Sequence, residues 1–311
     1  MLRVRVVVAM ILWVSAASTS FAQAPAPANP LWQEQKVKNY LPHMSWPEVR
    51  DLLTRTDMVI LPVASLEQHG LHGPIGTDFL SGLERAKLIA QKTDVLVAPI
   101  LFPGNSPYHM AFPGTITLPA ETIQLVYFQA AQSLITHGFR RFLILNSHGG
   151  NASISRYIVD RINQETAGIA VELGEAAAPF EARSTRQEPR AFDRHGGVSE
   201  TSRSLYLTPN LVNMSVARTA PLTLLPHLEK MLPEVVAGDA TATRVFLAEA
   251  LKAESTGKGT STIDMTETGV WSARDVKEAT AERGREETEA SVNAAVAFIE
   301  RWKQLRPLGI R

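Results

Sequence analysis

The sequence predicts an α/β fold built on a layered, mainly parallel sheet, and two observations carry that expectation. Residues 57–65, 94–101, 141–145 and 169–173 are short runs rich in valine, isoleucine and leucine, the composition of strands buried on both faces. Segments with helical patterning lie between them at 79–92, 120–137 and 151–166. Strand alternating with helix is the pattern of parallel strands joined by crossovers.

The elements follow in order along the 311 residues. Met1-Leu2-Arg3-Val4-Arg5 is a basic start, 6–17 is apolar, and Ser20-Phe21-Ala22 offers small residues where a signal peptidase cuts. Residues 1–22 therefore read as a secretory signal peptide, too short in its apolar part for the roughly 20 residues of a membrane span. Residues 23–30 form an alanine/proline spacer that builds neither helix nor core. Residues 31–311 are expected to form a single domain, within the size that α/β domains reach.

Beyond 173 the alternation gives way to a polar stretch, 181–194, read as a surface loop or lid. A helix is expected over 200–207, with Ser199 as its N-cap and Thr208-Pro209 as its stop. The proline-interrupted 212–236 fits no element. Helices are expected again over 241–254 and 273–304, separated by a Gly/Ser/Thr stretch at 255–262, the last helix laying one face on the sheet.

Composition narrows the function. Lysine plus arginine equals aspartate plus glutamate, 31 each, so no nucleic acid or acidic membrane is advertised by charge, and a neutral or small solute fits best. There is no cysteine, which excludes disulfides and thiolate metal sites. Any metal must be held by nitrogen and oxygen.

Such donors are grouped. Glu67, His69 and Asp78 follow the first strand-like run, and His148 follows the third. In a parallel sheet both loops leave the carboxyl edge, where ligands bind. Glu67 and His69 are two apart, so an extended backbone points them the same way, to grip one ion or flank two. Asp78 begins a helix, where a carboxylate is favoured. Each alone reads as an ordinary capping acid or a satisfied loop histidine; together they read as a metal site. Gly149 and Gly150 let backbone approach a bound group, while Asn151 either caps the next helix or orients a ligand, and Asn146 is open in the same way. His195 and Glu200 flank a flexible turn, as a proton shuttle and a further carboxylate ligand, with a plain surface histidine as the alternative. Ser106 and His109 are candidate substrate contacts, and His72 is a residue behind the ligands.

These segments resemble the three signatures of the creatininase (creatinine amidohydrolase) family: Glu67-x-His69-Gly70-x-His72 ending in Thr77-Asp78, then Asn146-x-His148-Gly149-Gly150-Asn151, then His195-Gly196-Gly197-x-x-Glu200-Thr201-Ser202. Phe112-Pro113-Gly114-Thr115 and Gly269-Val270-Trp271 are weaker matches, and the resemblance covers roughly 57–285. It implies a three-layer α/β/α sandwich, divalent metal at the sheet edge, hydrolysis of a non-peptide C–N amide bond, and often a homo-hexamer. It implies Glu67, His69, Asp78 and His148 as metal ligands with Asp78 bridging two ions, His195 as the proton-transfer residue, and Glu200 as ligand or base.

Two departures stand out. Creatininase proper has a glutamate ligand where this chain has Gly150, and tryptophan and aspartate where it has Ala191 and Phe192. The first makes a second ion depend on Glu200. Together they weigh against creatinine itself, and they add Phe192 to Ser106 and His109 as candidate substrate-binding residues. The resulting expectation is an exported, periplasmic or secreted, homo-oligomeric amidohydrolase with one or two Zn, Mn or Fe ions. It would cleave a cyclic or small linear amide, creatinine-like or formamide-like, without nucleic-acid or membrane partners once the signal is removed. An exported metal- or solute-binding protein without turnover is the alternative. A serine hydrolase using Ser106 and His109 lacks the nucleophile-elbow pattern.

Overall fold

The computed structural model describes residues 35–101, 103–181, 192–250 and 262–310. A Ser45–Glu48 capping box opens α1 (Trp46–Leu52), and the run after it is β1 (Met58–Val63), buried from end to end. The alternation continues through α2 (Thr77–Lys92), β2 (Leu96–Val97), α3 (Ala120–His137), β3 (Arg141–Asn146), α4 (Ala152–Glu165) and β4 (Ile169–Glu172). These four strands form one sheet in the order β2-β1-β3-β4, every neighbouring pair parallel.

The period-2 alternation of β1 sorts the two cores. Val59, Leu61 and Val63 join Phe142 and Ile144 of β3 under α3 and α4, with Ile123, Tyr127, Ile154 and Ile158 filling the layer. Met58 and Ile60 face the other way with Leu143 and Leu145, against Leu83, Ala86 and Ile89 of α2 and, from the carboxyl-terminal helix, Val292, Ala295 and Ile299. Helices on both faces of a parallel sheet make the three-layer α/β/α sandwich. Pro62 is tolerated in a central strand because β2 pairs only with Val59 and Ile60, and the Pro62 carbonyl accepts a hydrogen bond from the Tyr127 hydroxyl at 2.7 Å. α3 stops at Gly138, whose φ of 118° only glycine adopts without strain.

The second half adds α5 (Leu173–Ala177), β5 (Asp193–His195), α6 (Val198–Leu207), α7 (Pro226–Ala237), α8 (Ala240–Ala250), α9 (Thr262–Met265), β6 (Trp271–Ser272) and α10 (Ala281–Leu305). β5 and β6 pair antiparallel beside the main sheet. α7 and α8 close over a third apolar cluster around Phe192, Phe246 and Trp271.

Four expectations need correction. Asp193 and Arg194 form strand rather than loop, because Asp193 and His195 pair with Ser272 and Trp271 of β6 and Arg194 lies at the irregularity between them. Ser199 lies inside α6; Gly197 holds the N-cap position, and the capping oxygens come from Asp193, which accepts from the Val198 and Ser199 amides at 3.0 Å each. The last helix starts at Ala281, since Trp271–Ser272 is drawn into β6, and Thr280 caps it. Most of α7 falls in the unassigned 212–236 segment, and it accepts Pro226 at its first turn.

The described residues from Val37 onward form one compact unit. The signal peptide, the spacer, most of the 181–194 stretch and most of 251–262 lie outside the described residues. Among the described residues no helix is long and apolar enough to cross a membrane.

Candidate metal centre

The register of β1 against β3 pairs Val63 with Asn146, so the two strands end level and their following loops meet. Asp78 arrives from the first turn of α2, His195 from the end of β5 and Glu200 from the first turn of α6. Glu67, His69, Asp78, His148 and His195 are all buried. Their atoms converge. His148 Nδ1 is 3.1 Å from both Glu67 Oε1 and Asp78 Oδ2. His69 Nε2 is 3.4 Å from Asp78 Oδ1 and 3.6 Å from Glu200 Oε2. His195 Nδ1 is 3.5 Å from Glu67 Oε1.

Three overlapping sets could each hold an ion: Glu67 with Asp78 and His148, His69 with Asp78 and Glu200, and Glu67 with His69 and His195. The far ring nitrogens show how these donors are aimed. His69 Nδ1 lies 3.1 Å from the Glu67 carbonyl, His148 Nε2 3.0 Å from that of Asn105, and His195 Nε2 2.5 Å from that of Gln68. A backbone carbonyl only accepts, so each of those nitrogens carries the proton and the opposite nitrogen turns its lone pair to the carboxylates. Glu67 Oε2 and His69 Nε2 are buried without a hydrogen-bond partner in the protein, an arrangement that costs stability unless a ligand meets it. The nitrogen and oxygen donors therefore fit a divalent ion of the Zn, Mn or Fe type.

The electrostatics agree. Burial alone would lower His69, but Asp78, Glu200 and Glu67 raise it to about 9. Burial likewise opposes the charge on His148, and Glu67 and Asp78 overcome it, raising this ring well above the usual histidine range. Asp78 is penalised by burial yet held well below the usual carboxylate range by His69 and His148. A divalent ion would take the place of these protons. By contrast, burial and then the charge of His69 lower His195. Burial and then Glu67 push the Tyr108 phenol well above its ordinary value, so it stays protonated.

A cavity of about 320 Å³ opens over this floor, walled by Tyr108, His109, Gly149, Gly150, Arg194, Leu247 and Trp271. Gly150 behaves differently from its sequence reading. A Cβ there would collide with the Asn105 carbonyl, His148 Nε2 and the Tyr108 hydroxyl, so the close approach it permits is to the protein's own groups. No side chain fits at 150. The carboxylate missing from that position has a counterpart in Glu200, the acid of the set with His69 and Asp78.

The remaining predicted residues divide. His109 reaches the cavity, its ring stacked on His195 at 4.1 Å between centroids, with Nδ1 held by Thr262 at 2.7 Å. Ser106 is buried behind His148, its Oγ 3.3 Å from Nε2, and its side chain does not engage His109. Phe192 is not brought to the site: its ring packs edge-on against Trp271 and Phe246, at 5.2 and 5.5 Å, inside the third cluster. Asn151 neither caps α4 by its side chain nor faces the donors; it ties the Ala64 carbonyl to the Asn105 amide. Asn146 clasps both backbone groups of His148, and His72 stands behind the site, 2.7 Å from Thr201 Oγ1.

Gln68, between Glu67 and His69, turns away from the donors. Its amide nitrogen bonds the Gly269 carbonyl at 3.0 Å, its Oε1 accepts from the Gly70 amide, and its own amide reaches Thr115 Oγ1. Gln68, Tyr108 and Leu247 are the functional positions that sequence reasoning missed. Tyr108 had a signal, its place between Ser106 and His109; Leu247, on a helix far along the chain, had none.

Comparison with known proteins follows the same line. A family model described as creatininase, creatinine amidohydrolase, matches residues 42–299. The chain is 30% identical over 200 residues to a 3-dehydro-scyllo-inosose hydrolase of Thermotoga maritima, covering 61% of this chain and 64% of that protein, just under two thirds of its length. It is 31% identical over 209 residues to the creatinine amidohydrolase of Pseudomonas putida, covering 60% and 79%. It is 28% identical over 254 residues to a mycofactocin precursor peptide peptidase of Mycobacterium tuberculosis, covering 78% and 85%. A crystal structure of creatinine amidohydrolase superposes with a TM-score of 0.61 at 21% identity, over 87% of this chain and 98% of that one. A structure described as "Creatininase Mn" gives 0.60 at 21% identity, over 87% and 99%; at that identity the likeness is one of fold.

Proposed function

The chain belongs to the creatininase family, a family of hydrolases, and from that premise we propose that it is a metal-dependent amidohydrolase cleaving a non-peptide C–N bond in a cyclic or small linear amide. One observation supports this most: three buried histidines each donate one ring nitrogen to a backbone carbonyl and aim the other at shared carboxylates. Glu67, Asp78 and His148 would hold one ion, and His69, Asp78 and Glu200 a second, with Asp78 common to both. When bound, such ions polarise a carbonyl and lower the pKa of water towards about 7.

The chain's own groups supply the rest. Tyr108, protonated and on the cavity wall, donates a hydrogen bond to the oxygen that gains charge at the carbonyl. His195, neutral and with Nδ1 facing the floor, takes up a proton and delivers it to the departing nitrogen. His109 stacks on His195 and fixes the plane of its ring. Leu247 and Trp271 exclude water from one side of the substrate. A protein that merely stored metal would need neither Tyr108 nor His195 at the cavity.

The relatives' names set the substrate panel of creatinine, short peptides and an inosose, and formamides join it as small linear amides. The test is elemental analysis of the purified protein combined with that panel. Two ions per chain and turnover of a small amide are expected; turnover that survives complete removal of metal would sink the reading. Export follows from residues 1–22 and is checked by N-terminal sequencing of protein recovered outside the cytoplasm. A homo-hexamer, implied by the family, is checked by light scattering.

A further inference from the structure

A second cavity, of about 240 Å³, adjoins the same centre and shares Asp78, His148 and Glu200 with it, and among its other, mostly neutral polar walls stand two arginines. Arg85 enters from α2 and Arg203 from α6, two helices packed against each other. The Arg85 guanidinium is half-buried and meets little. Its Nε makes one long bond, 3.4 Å, to the Ser81 carbonyl, and its two Nη groups have no protein acceptor among the described residues. Arg203 leans through Nη1 on Ser199 Oγ at 3.4 Å and on Glu287 at 3.6 Å, which leaves Nη2.

The neighbouring acceptors are engaged elsewhere: Glu200 Oε2 takes the Gly196 amide and faces His69. Ser147 Oγ is committed to the Val63 and Asp78 carbonyls, and the Asn146 side chain to the backbone of His148. Asp78 is engaged by Ser65, His69 and His148, and Glu172 by the Glu175 amide. Burial, and then the charge of Arg203, lower Arg85 to about 10. Two guanidiniums sharing one cavity repel each other, and a negative ligand removes that cost.

We propose that Arg85 and Arg203 form an oxyanion subsite beside the metal centre, taking a carboxylate or phosphate group. The planar fork of each guanidinium matches two oxygens of such a group. The proposal rests on the amidohydrolase reading only in its position: an anion held here lies next to the donors that act on the scissile amide. Its source is the substrate's own charged group or a separate anion bound alongside.

Calorimetric titration of the purified, metal-loaded protein with inorganic phosphate and with acetate, in low-chloride buffer, tests it without any turnover. Saturable binding of at least one is expected, weakened about tenfold or more by Arg85→Met and by Arg203→Met. Arg85→Lys recovers part of it, and Arg156→Met, at an exposed arginine of α4, changes nothing. Metal content and melting temperature are measured on each variant, so that lost binding is read only from folded, loaded protein. No saturable binding by the wild type overturns the proposal, as does affinity that survives both methionine variants, the result expected if the anion sits on the metal alone. The source is then resolved with an amide bearing a free carboxylate and its methyl ester. A KM raised about tenfold by Arg85→Met for the acid alone assigns the anion to the substrate; equal KM values with phosphate binding lost assign it to a separate anion. If no amide is turned over, the amidohydrolase reading fails while the phosphate titration still decides the subsite.

Discussion

The two ends of the parallel sheet place acids beside bases in opposite ways. At the amino end, Asp57 and Arg141 form a buried pair in which Nε reaches Oδ1 at 2.6 Å and Nη1 reaches the Arg306 carbonyl at 2.8 Å. The Asp57 carbonyl also takes the Arg140 and Arg141 amides. At the carboxyl end, Glu67, His69, Asp78, His148 and His195 lie as deep, yet Glu67 Oε2 and His69 Nε2 find no hydrogen bond. At the first end the buried guanidinium of Arg141 finds its acceptors within the protein. The second is satisfied only from outside. Buried charge alone therefore does not mark a functional site; what marks it is donors aimed at a point that no protein atom fills.

The sharpest way to break the comparison is to disable one end and look for an effect at the other. His148→Ala should lose bound metal and at least about a thousandfold in turnover, some 4 kcal/mol of barrier, with a urea unfolding curve close to that of chelator-treated wild type. Elemental analysis and kinetics check this, and full metal content in the variant would refute it. Asp57→Ala should do the reverse. It strands a buried guanidinium, costs about 3–5 kcal/mol of folding stability, and leaves the metal-to-protein ratio of the folded fraction unchanged.

Smaller effects sharpen the contrast within the site. Tyr108→Phe should lower kcat by about a hundredfold with metal retained, the cost of one donor to a developing negative charge. Gly150→Ala should destabilise by about 1–3 kcal/mol through overpacking against His148 and Tyr108, and a melt as stable as wild type would show that the pocket yields. The smallest effect is one of pH. In chelator-treated protein, His69 titrates near 9 when folded and near 6.5 when unfolded. Its contribution to stability is full below about pH 6.5 and is lost as pH rises through 9. Metal-loaded protein should show the opposite slope over that window, because the ligands must release protons to bind the ion. Urea melts at both ends of the window, with and without chelator, distinguish the two.

Much of this was legible in the sequence because the relevant forces are local. Buried strands demand apolar runs, α3 matches the periodic segment 120–137 to the residue, and loops after parallel strands share an edge whatever their sequence. Glu67, His69, Asp78 and His148 could be grouped on that ground alone. What escaped depended on distant partners. Asp193 took over the capping of α6 because β6 placed it there, and Ser199 had no way to signal that. Phe192 was drawn away from the cavity by Phe246 and Trp271, the second of them far along the chain. Gly150 read as an absence; only with Tyr108 and Asn105 beside it does it read as occupied space.

Gln68 makes the centre a late event in the life of the chain. Its carbonyl accepts His195 and its side chain grips the Gly269 backbone, so the first loop takes its final shape only when residues from the last quarter of the sequence are in place. Glu67 and His69 are translated early but wait for a latch that emerges much later. A chain ending before Gly269 therefore lacks the contact that holds Gln68, and with it the setting of its two neighbours Glu67 and His69.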